Sequence, residues 1–142
     1  MGKSATFDND LLGLIFNATT IANIAINATS SPLTSLYVSL HTANPGTAAP
    51  QTTSEAAYTG YARQAVTRSN AGFTVTGASV SPAANVTFPA ATGGSETETY
   101  FGIGTAVSGT GKLLYSGAIS PTIAVVAGVQ PVLTTASTVT EA

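Results

Sequence analysis

The stretch SLYVSLHT at residues 35–42 determines the predicted fold class. Leu36, Val38 and Leu40 alternate with residues that are polar or carry a polar tip, and this period of two is typical of a β-strand with one buried face. His41 falls on the opposite, polar side of the strand. The sequence therefore predicts a half-buried strand here, around which the rest of the chain is arranged.

The residues that follow this strand give first a loop signal and then two strand signals. Residues 43–55 contain Asn-Pro-Gly and a second proline, which predicts an exposed loop at one end of the sheet. Residues 62–68 have a strand pattern, and Ser-Asn-Ala-Gly at 69–72 is typical of a turn that leads into a second strand at 73–76. We expect these two strands to pair as a hairpin.

The C-terminal half consists of short apolar runs separated by glycine or proline, and Pro121 is expected to break the chain between two of them. Short strands at this spacing predict a mainly β fold, an antiparallel β-sandwich or small barrel. The further predicted strands are residues 85–88, 97–105, 112–116, 123–126 and 132–140. The expected core residues are Leu36, Val38, Leu40, Val66, Phe73, Val75, Phe88, Phe101, Ile103, Leu114 and Ile123.

The N-terminal part of the chain differs from the rest. Apolar residues recur at helical spacing over residues 7–16, which predicts one short helix with Asp8 or Asn9 as its N-cap. We predict a helix and arm at residues 1–34 and a single β domain at residues 35–142. The arm could add a strand to the sheet edge of a neighbouring subunit. The expected assembly-interface residues are Phe7, Leu11, Leu12, Ile15, Phe16, Ile21, Ile24 and Ile26.

The low content of charged residues argues against several classes of protein. Charged residues are 7% of the chain, against about 25% in an ordinary soluble domain. Lys and Arg number 4, too few to neutralise a run of phosphates, so no nucleic-acid partner is expected. The most apolar stretch, residues 11–28, is interrupted by polar residues, so no membrane partner is expected. Because weak charge repulsion favours association, we expect the chain to work within an assembly.

Residues that usually carry catalysis or bind metals are scarce. The chain has no cysteine, which removes thiolate metal sites and thiol catalysis, and its one histidine, His41, lacks the partners of a triad or a metal site. The glycine-rich segments 102–104 and 109–112 lack the other positions of dinucleotide-binding and phosphate-binding loops. Asp8 and Asp10 are of the residue type that binds calcium, but a role in capping the helix explains them better. We predict no catalytic residue, metal or cofactor.

Two pairs of charged residues are the remaining candidates. Glu96 and Glu98 are two residues apart, so on a strand they share a face, which would suit acid–base chemistry on a sugar or a divalent cation. We favour a solvated charge that discourages pairing at a sheet edge. Arg63 and Arg68 could bind a carboxylate of a partner, but a modest surface ion pair is the simpler interpretation.

Several motifs, taken in order, carry a resemblance to a known family. They are LYVSLHTANPG at residues 36–46, YTGYAR at 58–63, VSPAANVTFP at 80–89, YFGIG at 100–104, LLYSG at 113–117 and TVTE at 138–141. Most of the chain is thus similar to a family of small structural proteins of tailed bacteriophages and prophages, often labelled tail fibre proteins. The resemblance implies a virion component without enzymatic activity, made in the cytoplasm of the bacterial host.

Two places in the virion are open to such a protein. We favour a capsid-surface decoration or cement protein, a minor capsid protein that bridges copies of the major capsid protein or other virion proteins. It would also contact copies of itself, which shell symmetry would arrange as trimers. The alternative is a tail-fibre or tail-tip module that contacts the host surface, although residues 43–55 lack the aromatic side chains of a glycan site. A third class is a glycan hydrolase that uses Glu96 and Glu98.

Overall fold

The computed structural model describes residues 3–28, 31–47 and 49–141, and the chain is mainly β with one N-terminal helix. Helix α1 is Ala5–Asn17, and the strands are β1 Ser35–His41, β2 Gln64–Thr67, β3 Phe73–Thr76, β4 Ser79–Pro82, β5 Val86–Thr87, β6 Ser95–Gly104, β7 Leu113–Val126, β8 Val132–Leu133 and β9 Val139–Thr140. They form antiparallel sheets in the orders β2-β1-β6-β7, β3-β4-β9 and β5-β8. The predicted fold class is confirmed, and within the described residues no sheet closes into a barrel.

The helix and the sheets share one hydrophobic core. Its predicted members Leu36, Val38, Leu40, Phe73, Phe88, Phe101 and Ile103 are buried, whereas Val66, Val75, Leu114 and Ile123 are partly buried and pack against it. The core also contains residues that the sequence did not single out as core, among them Leu12, Phe16, Val80, Val86, Val125, Leu133 and Val139. One core therefore joins the N-terminal helix to strands from both halves of the chain.

The helix begins earlier than predicted and has a different cap. It covers Ala5–Asn17, and the hydroxyl of Ser4 accepts a hydrogen bond from the backbone N–H of Phe7 at 3.2 Å. The prediction of Asp8 or Asn9 as the N-cap is therefore wrong, because both residues lie inside the first turns. Asp8 lies near the positive end of the helix dipole, where a carboxylate is favourable.

The helix packs into the body through its apolar side. Leu12 and Phe16 are 0% exposed. The ring of Phe16 lies 5.0 Å from that of Phe73 in an edge-on arrangement and 5.6 Å from that of Tyr115. The helix is thus part of the packed body. The bounds predicted for the arm and the β domain, residues 1–34 and 35–142, stay a prediction.

Strand β1 is buried on both faces, which the half-buried pattern did not predict. Ser39 and His41, on the face expected to be solvated, are each 0% exposed. Residues 43–55 cover this face, since Glu55 forms a β-bridge with His41 and the side chain of Gln51 is 0% exposed. The expectation of an exposed loop at the end of the sheet is therefore wrong for this part of the loop.

The hairpin predicted across residues 62–76 does not form. The turn is present, because the N–H groups of Gly72 and Phe73 both donate to the carbonyl of Ser69. However, β2 pairs with β1, and β3 pairs with β4. Phe73 packs on Phe16 of the helix, so β3 joins the sheet beside the helix and leaves β2 in the larger sheet.

Pro121 does not end a strand, as the sequence suggested, but lies within β7. Residue pairs Glu98–Ile123 and Tyr100–Ala118 flank a register shift, so the residues around Pro121 bulge out of the ladder with β6. Because β7 is an edge strand, a residue without an N–H is tolerated there. The strand predicted at residues 132–140 is instead two short strands, β8 and β9, separated by a turn.

Candidate functional site

A buried polar layer occupies the second face of β1, and His41 lies within it. The Nδ1 atom of His41 is 2.8 Å from the carbonyl oxygen of Thr53, and Nε2 is 2.9 Å from Oγ of Ser39. A carbonyl oxygen can only accept, so Nδ1 carries the proton and Nε2 accepts from the Ser39 hydroxyl. Burial lowers the pKa of His41, although the bond to Thr53 opposes this shift. The neutral imidazole thus fastens the loop to the sheet.

Glycines in β6 make room for this layer. A Cβ atom at Gly102 would lie 2.7 Å from Nε2 of His41, and one at Gly104 would overlap the side chain of Gln51. The Oε1 atom of Gln51 accepts from the backbone N–H of Ala106 at 3.0 Å. The prediction that residues 102–104 form a glycine-containing strand is confirmed, and the reason is the close approach of side chains from the covering loop.

Arg63 is the centre of the same layer. Its Nε and Nη2 atoms donate to the two carboxylate oxygens of Glu55 at 2.6 and 2.7 Å, and its guanidinium also donates to the carbonyls of Ala106 and Gly109 at 2.9 and 2.8 Å. Arg63 is 7% exposed, and its bond to Glu55 raises its pKa. The interpretation as a modest surface pair is therefore wrong, because Arg63 joins two loops in a bidentate, largely buried pair.

Arg68 joins the end of the helix to the segment that follows it. Its guanidinium donates to the carbonyls of Leu14 and Ile15 at 2.7 and 2.5 Å. It also donates to Oδ1 of Asn27 at 2.6 Å and to the carbonyl of Leu33 at 3.3 Å. A cation at the C-terminal end of a helix satisfies the last carbonyls and complements the helix dipole. The surface-pair interpretation is wrong for Arg68 as well.

Glu96 and Glu98 form a carboxyl pair on one face of β6. The Oε1 atom of Glu96 accepts from the backbone N–H groups of Ala57 and Tyr58, at 2.8 Å each. Glu98 is 0% exposed, and neither of its carboxyl oxygens meets a donor among the described residues. Burial, with the neighbouring Glu96 carboxyl, raises the pKa of Glu98 to about 8. A carboxyl with this pKa is mainly protonated at neutral pH.

The position of this pair overturns the interpretation as a solvated edge charge. At Glu96 and Glu98, β6 pairs with β7 alone, since its pairing with β1 begins at Tyr100. The backbone N–H groups of Ala57 and Tyr58 bind Glu96 there, and Glu98 is 0% exposed, so neither carboxyl is a solvated edge charge. A groove of about 580 Å³ lies elsewhere, between β7 and the turn before β9, and its lining residues carry neither a charge nor an aromatic ring. Neither Glu96 nor Glu98 lines this groove.

The structure divides the eight residues predicted as an assembly interface. Leu12 and Phe16 are in the core and Ile21 is 6% exposed, so these three are covered by the chain itself. Leu11 and Ile15 are partly buried. The exposed members are Phe7 at 38%, Ile24 at 74% and Ile26 at 66%. Contact of these eight residues with a partner stays a prediction.

Most charged side chains are bound within the chain. Lys and Arg number 4 and Asp and Glu number 6, ten in all, and every one lies in the described residues. The Lys3 ammonium lies 2.6 Å from Glu141 and 3.9 Å from Asp8. The arginines, Glu55, Glu96 and Glu98 are bound or buried as given above. Asp10 and Lys112 are the two without such a role in the described part, so most charged groups are bound by other groups of the same chain.

Other features of the described residues bear on function. No helix in the ranges 3–28, 31–47 and 49–141 is long and apolar enough to cross a bilayer. Over the same ranges, no group of three or more His, Asp or Glu side chains is placed to hold a metal ion.

The family of the chain follows from its match to a family model. A model described as podophage GP4 fiber I protein gp80 matches residues 3–140. The match identifies a phage fibre-type structural protein, and the resemblance seen in the sequence motifs is confirmed. The chain belongs to the podophage GP4 fiber I protein gp80 family. No curated protein gives a significant match.

Proposed function

We propose that this chain is a non-enzymatic structural subunit of a phage fibre, made in the host cytoplasm and incorporated into the virion. The observation that carries the proposal is the family match, which extends over residues 3–140 and so includes the helix as well as the sheets. The buried polar layer suits such a role, because it ties long loops to the sheet and leaves a body with few separately mobile parts.

The former catalytic candidates support a non-enzymatic role. A hydrolase needs a carboxylic acid and a carboxylate that both reach the substrate. Here Glu98 is 0% exposed, and Oε1 of Glu96 is occupied by two backbone N–H groups. His41 is likewise 0% exposed and bound on both ring nitrogens. We therefore assign these side chains to holding the fold.

The family description changes the ranking of the two virion locations. The sequence favoured decoration of the capsid surface, with the major capsid protein as partner. The family is described as a fibre protein, which favours the tail alternative. We propose that the partners are copies of the chain and adjacent fibre proteins, because a chain with 7% charged residues, most of them bound internally, opposes close contact only weakly. The capsid location stays an untested prediction.

Fractionation of particles tests the proposal. Purified virions are dissociated, heads are separated from fibres, and the chain is quantified in each fraction by mass spectrometry, with the major capsid protein as the marker of heads. We expect the chain to be enriched with the fibres. Enrichment with the heads would overturn the fibre assignment in favour of decoration, and absence from both fractions would overturn the structural role.

A further inference from the structure

Glu98 is a buried carboxyl to which the described residues supply no hydrogen-bond donor. Its side chain is 0% exposed, and neither Oε1 nor Oε2 meets a donor in that part of the chain. Such a place tolerates a neutral carboxyl, whereas a carboxylate without donors is costly to bury. Any motion that brings water to this side chain is therefore favoured once its proton is lost.

The groups that face Glu98 give its charged form no compensation. From the same strand, the Glu96 carboxyl acts together with burial to raise the pKa of Glu98 to about 8. From β7, the residues paired with Glu98 and Glu96 are Ile123 and Val125, which carry no charge. From the segment packed against this face, the titratable group is Tyr58, whose pKa burial and both carboxyls raise to about 12. None of these groups is a cation.

The segment packed against this face, residues 56–59, is held to β6 mainly through Glu96, and we call it the clasp. The N–H groups of Ala57 and Tyr58 donate to Oε1 of Glu96 at 2.8 Å each. The first N–H of the clasp donates to a carbonyl of β1, and one β-bridge joins its end to the chain just before β6. A ladder along most of β6 fixes the β7 side instead. Separation of the clasp thus brings water to Glu98 with less loss of backbone hydrogen bonding than separation of β7.

We propose that the clasp is a pH-sensitive device, which separates from β6 when Glu98 loses its proton while the sheet stays intact. Separation hydrates the Glu98 carboxylate and relieves its repulsion with Glu96. It also uncovers Tyr58, which is 3% exposed in the closed form. The device belongs to the conformation of one subunit and does not depend on where the subunit lies in the virion.

The equilibrium between the closed and the open clasp has a defined dependence on pH. In the closed form the pKa of Glu98 is about 8, and a hydrated carboxyl has the ordinary value of 4.5. Between these values the open form binds fewer protons, so each pH unit raises the ratio of open to closed clasps about tenfold. Below pH 4.5 and above pH 8 this group no longer changes the ratio.

Amide hydrogen exchange, corrected for the intrinsic exchange rate at each pH, tests the proposal. The amides of Ala57 and Tyr58 report on the clasp, and those of the β1–β6 ladder report on unfolding of the sheet. We expect the clasp amides to be at least about tenfold less protected than the ladder at every pH. We also expect their protection to fall about tenfold per pH unit between about pH 5 and 8.

Variants at Glu98 identify the group responsible. Glu98→Gln cannot ionise and is expected to remove the pH dependence of the clasp amides, and Glu98→Leu gives the same test without a buried amide. Circular dichroism establishes that each variant is folded. Asp10→Asn removes a carboxylate from the helix and is the control, which is expected to keep the dependence.

Three results would overturn the proposal. Equal protection of clasp and ladder would show that the clasp opens only when the sheet unfolds. A pH dependence that persists in both Glu98 variants would assign it to another group. Loss of protection at residues 118–123 of β7, with the clasp unchanged, would place the opening on the other side of Glu98. In each case the fractionation of virions still decides the proposed function independently.

Discussion

Glu98 makes the stability of the protein depend on pH in an unusual direction. Its pKa is about 8 in the folded state against an ordinary value of 4.5, so the folded state binds one more proton between these values. Stability from this group is complete below pH 4.5 and is lost as the pH rises toward 8. We expect this group to contribute a fall of about 1.4 kcal/mol per pH unit to the free energy of unfolding in this window. His41, whose pKa burial lowers, contributes in the opposite direction below 6.5.

Urea unfolding of Glu98→Gln checks this expectation. The amide keeps the shape and cannot ionise, so the slope between pH 5 and 8 is expected to become less negative by about one bound proton. Asp10→Asn, which removes a carboxylate from the helix surface, is the matched control and is expected to keep the slope. An unchanged slope in Glu98→Gln would show that the buried carboxyl is not the source.

Gly104 tests the packing of the covering loop. A methyl group there would overlap Gln51, so Gly104→Ala is expected to lower the free energy of unfolding by about 1–3 kcal/mol. Gly13→Ala is the control, because its new Cβ would lie 3.7 Å from Thr19 in ordinary contact, and alanine favours the helix by about 0.5–1 kcal/mol. Equal effects in thermal unfolding would contradict the close approach of Gln51.

For single residues, the sequence predicts which apolar side chains are buried better than which polar side chains are buried. The apolar members of β1 were predicted as core because a period of two marks one face. His41, Arg63 and Glu98 were misjudged, since their burial depends on a loop that a local pattern cannot place. A hint existed in the low charge content: where so few ionised groups occur, each is more often held by the fold than spread over the surface.

The N-terminal helix contributes to the core, although none of its residues was among the predicted core residues. Phe16 is 0% exposed and contacts the rings of Phe73 and Tyr115, so Phe16→Ala is expected to cost about 3–5 kcal/mol of stability. Phe7, at 38% exposure on the same helix, is the control, and its alanine variant should cost under about 1 kcal/mol. Chemical unfolding measures both. A small loss in Phe16→Ala would contradict the packing of the helix into the core.

Arg68 controls how firmly the helix end holds the segment behind it. Arg68→Lys keeps the charge but loses the fork that reaches four oxygens. We expect faster amide hydrogen exchange over residues 14–28, by at least about tenfold, with the β6–β7 ladder unchanged. Lys112→Arg, at an exposed position, is the control. Uniform acceleration over the whole chain would indicate loss of global stability instead.

Elements were predicted more reliably than their pairing. Alternation marked β1 and β6, but the partner of β2 is decided by which strand lies beside it in the folded core. The hairpin prediction failed for this reason, since Phe73 meets the helix, a contact between residues 57 positions apart in the chain. Pro121 was predicted to break the chain, but it lies within β7. A proline is tolerated in an edge strand, and the sequence does not show which strand lies at an edge.

Most charged side chains of the molecule are bonded or buried within it. Eight of its ten charged groups are bound or buried within the described residues, so few charges are left for contacts with neighbours. Such contacts are predicted to depend little on salt, because screening acts on exposed charges. Sedimentation of the wild-type chain at about 0.05 and 0.5 M NaCl should give similar association constants. A strong loss at high salt would indicate ionic contacts.

A density map of the intact virion tests the central claim most directly, because it locates the chain among its partners. We predict that the sheets and the helix fit density within the tail fibres. Density on the head surface, or no matching density in the particle, would contradict the claim that this chain is a structural subunit of the fibre.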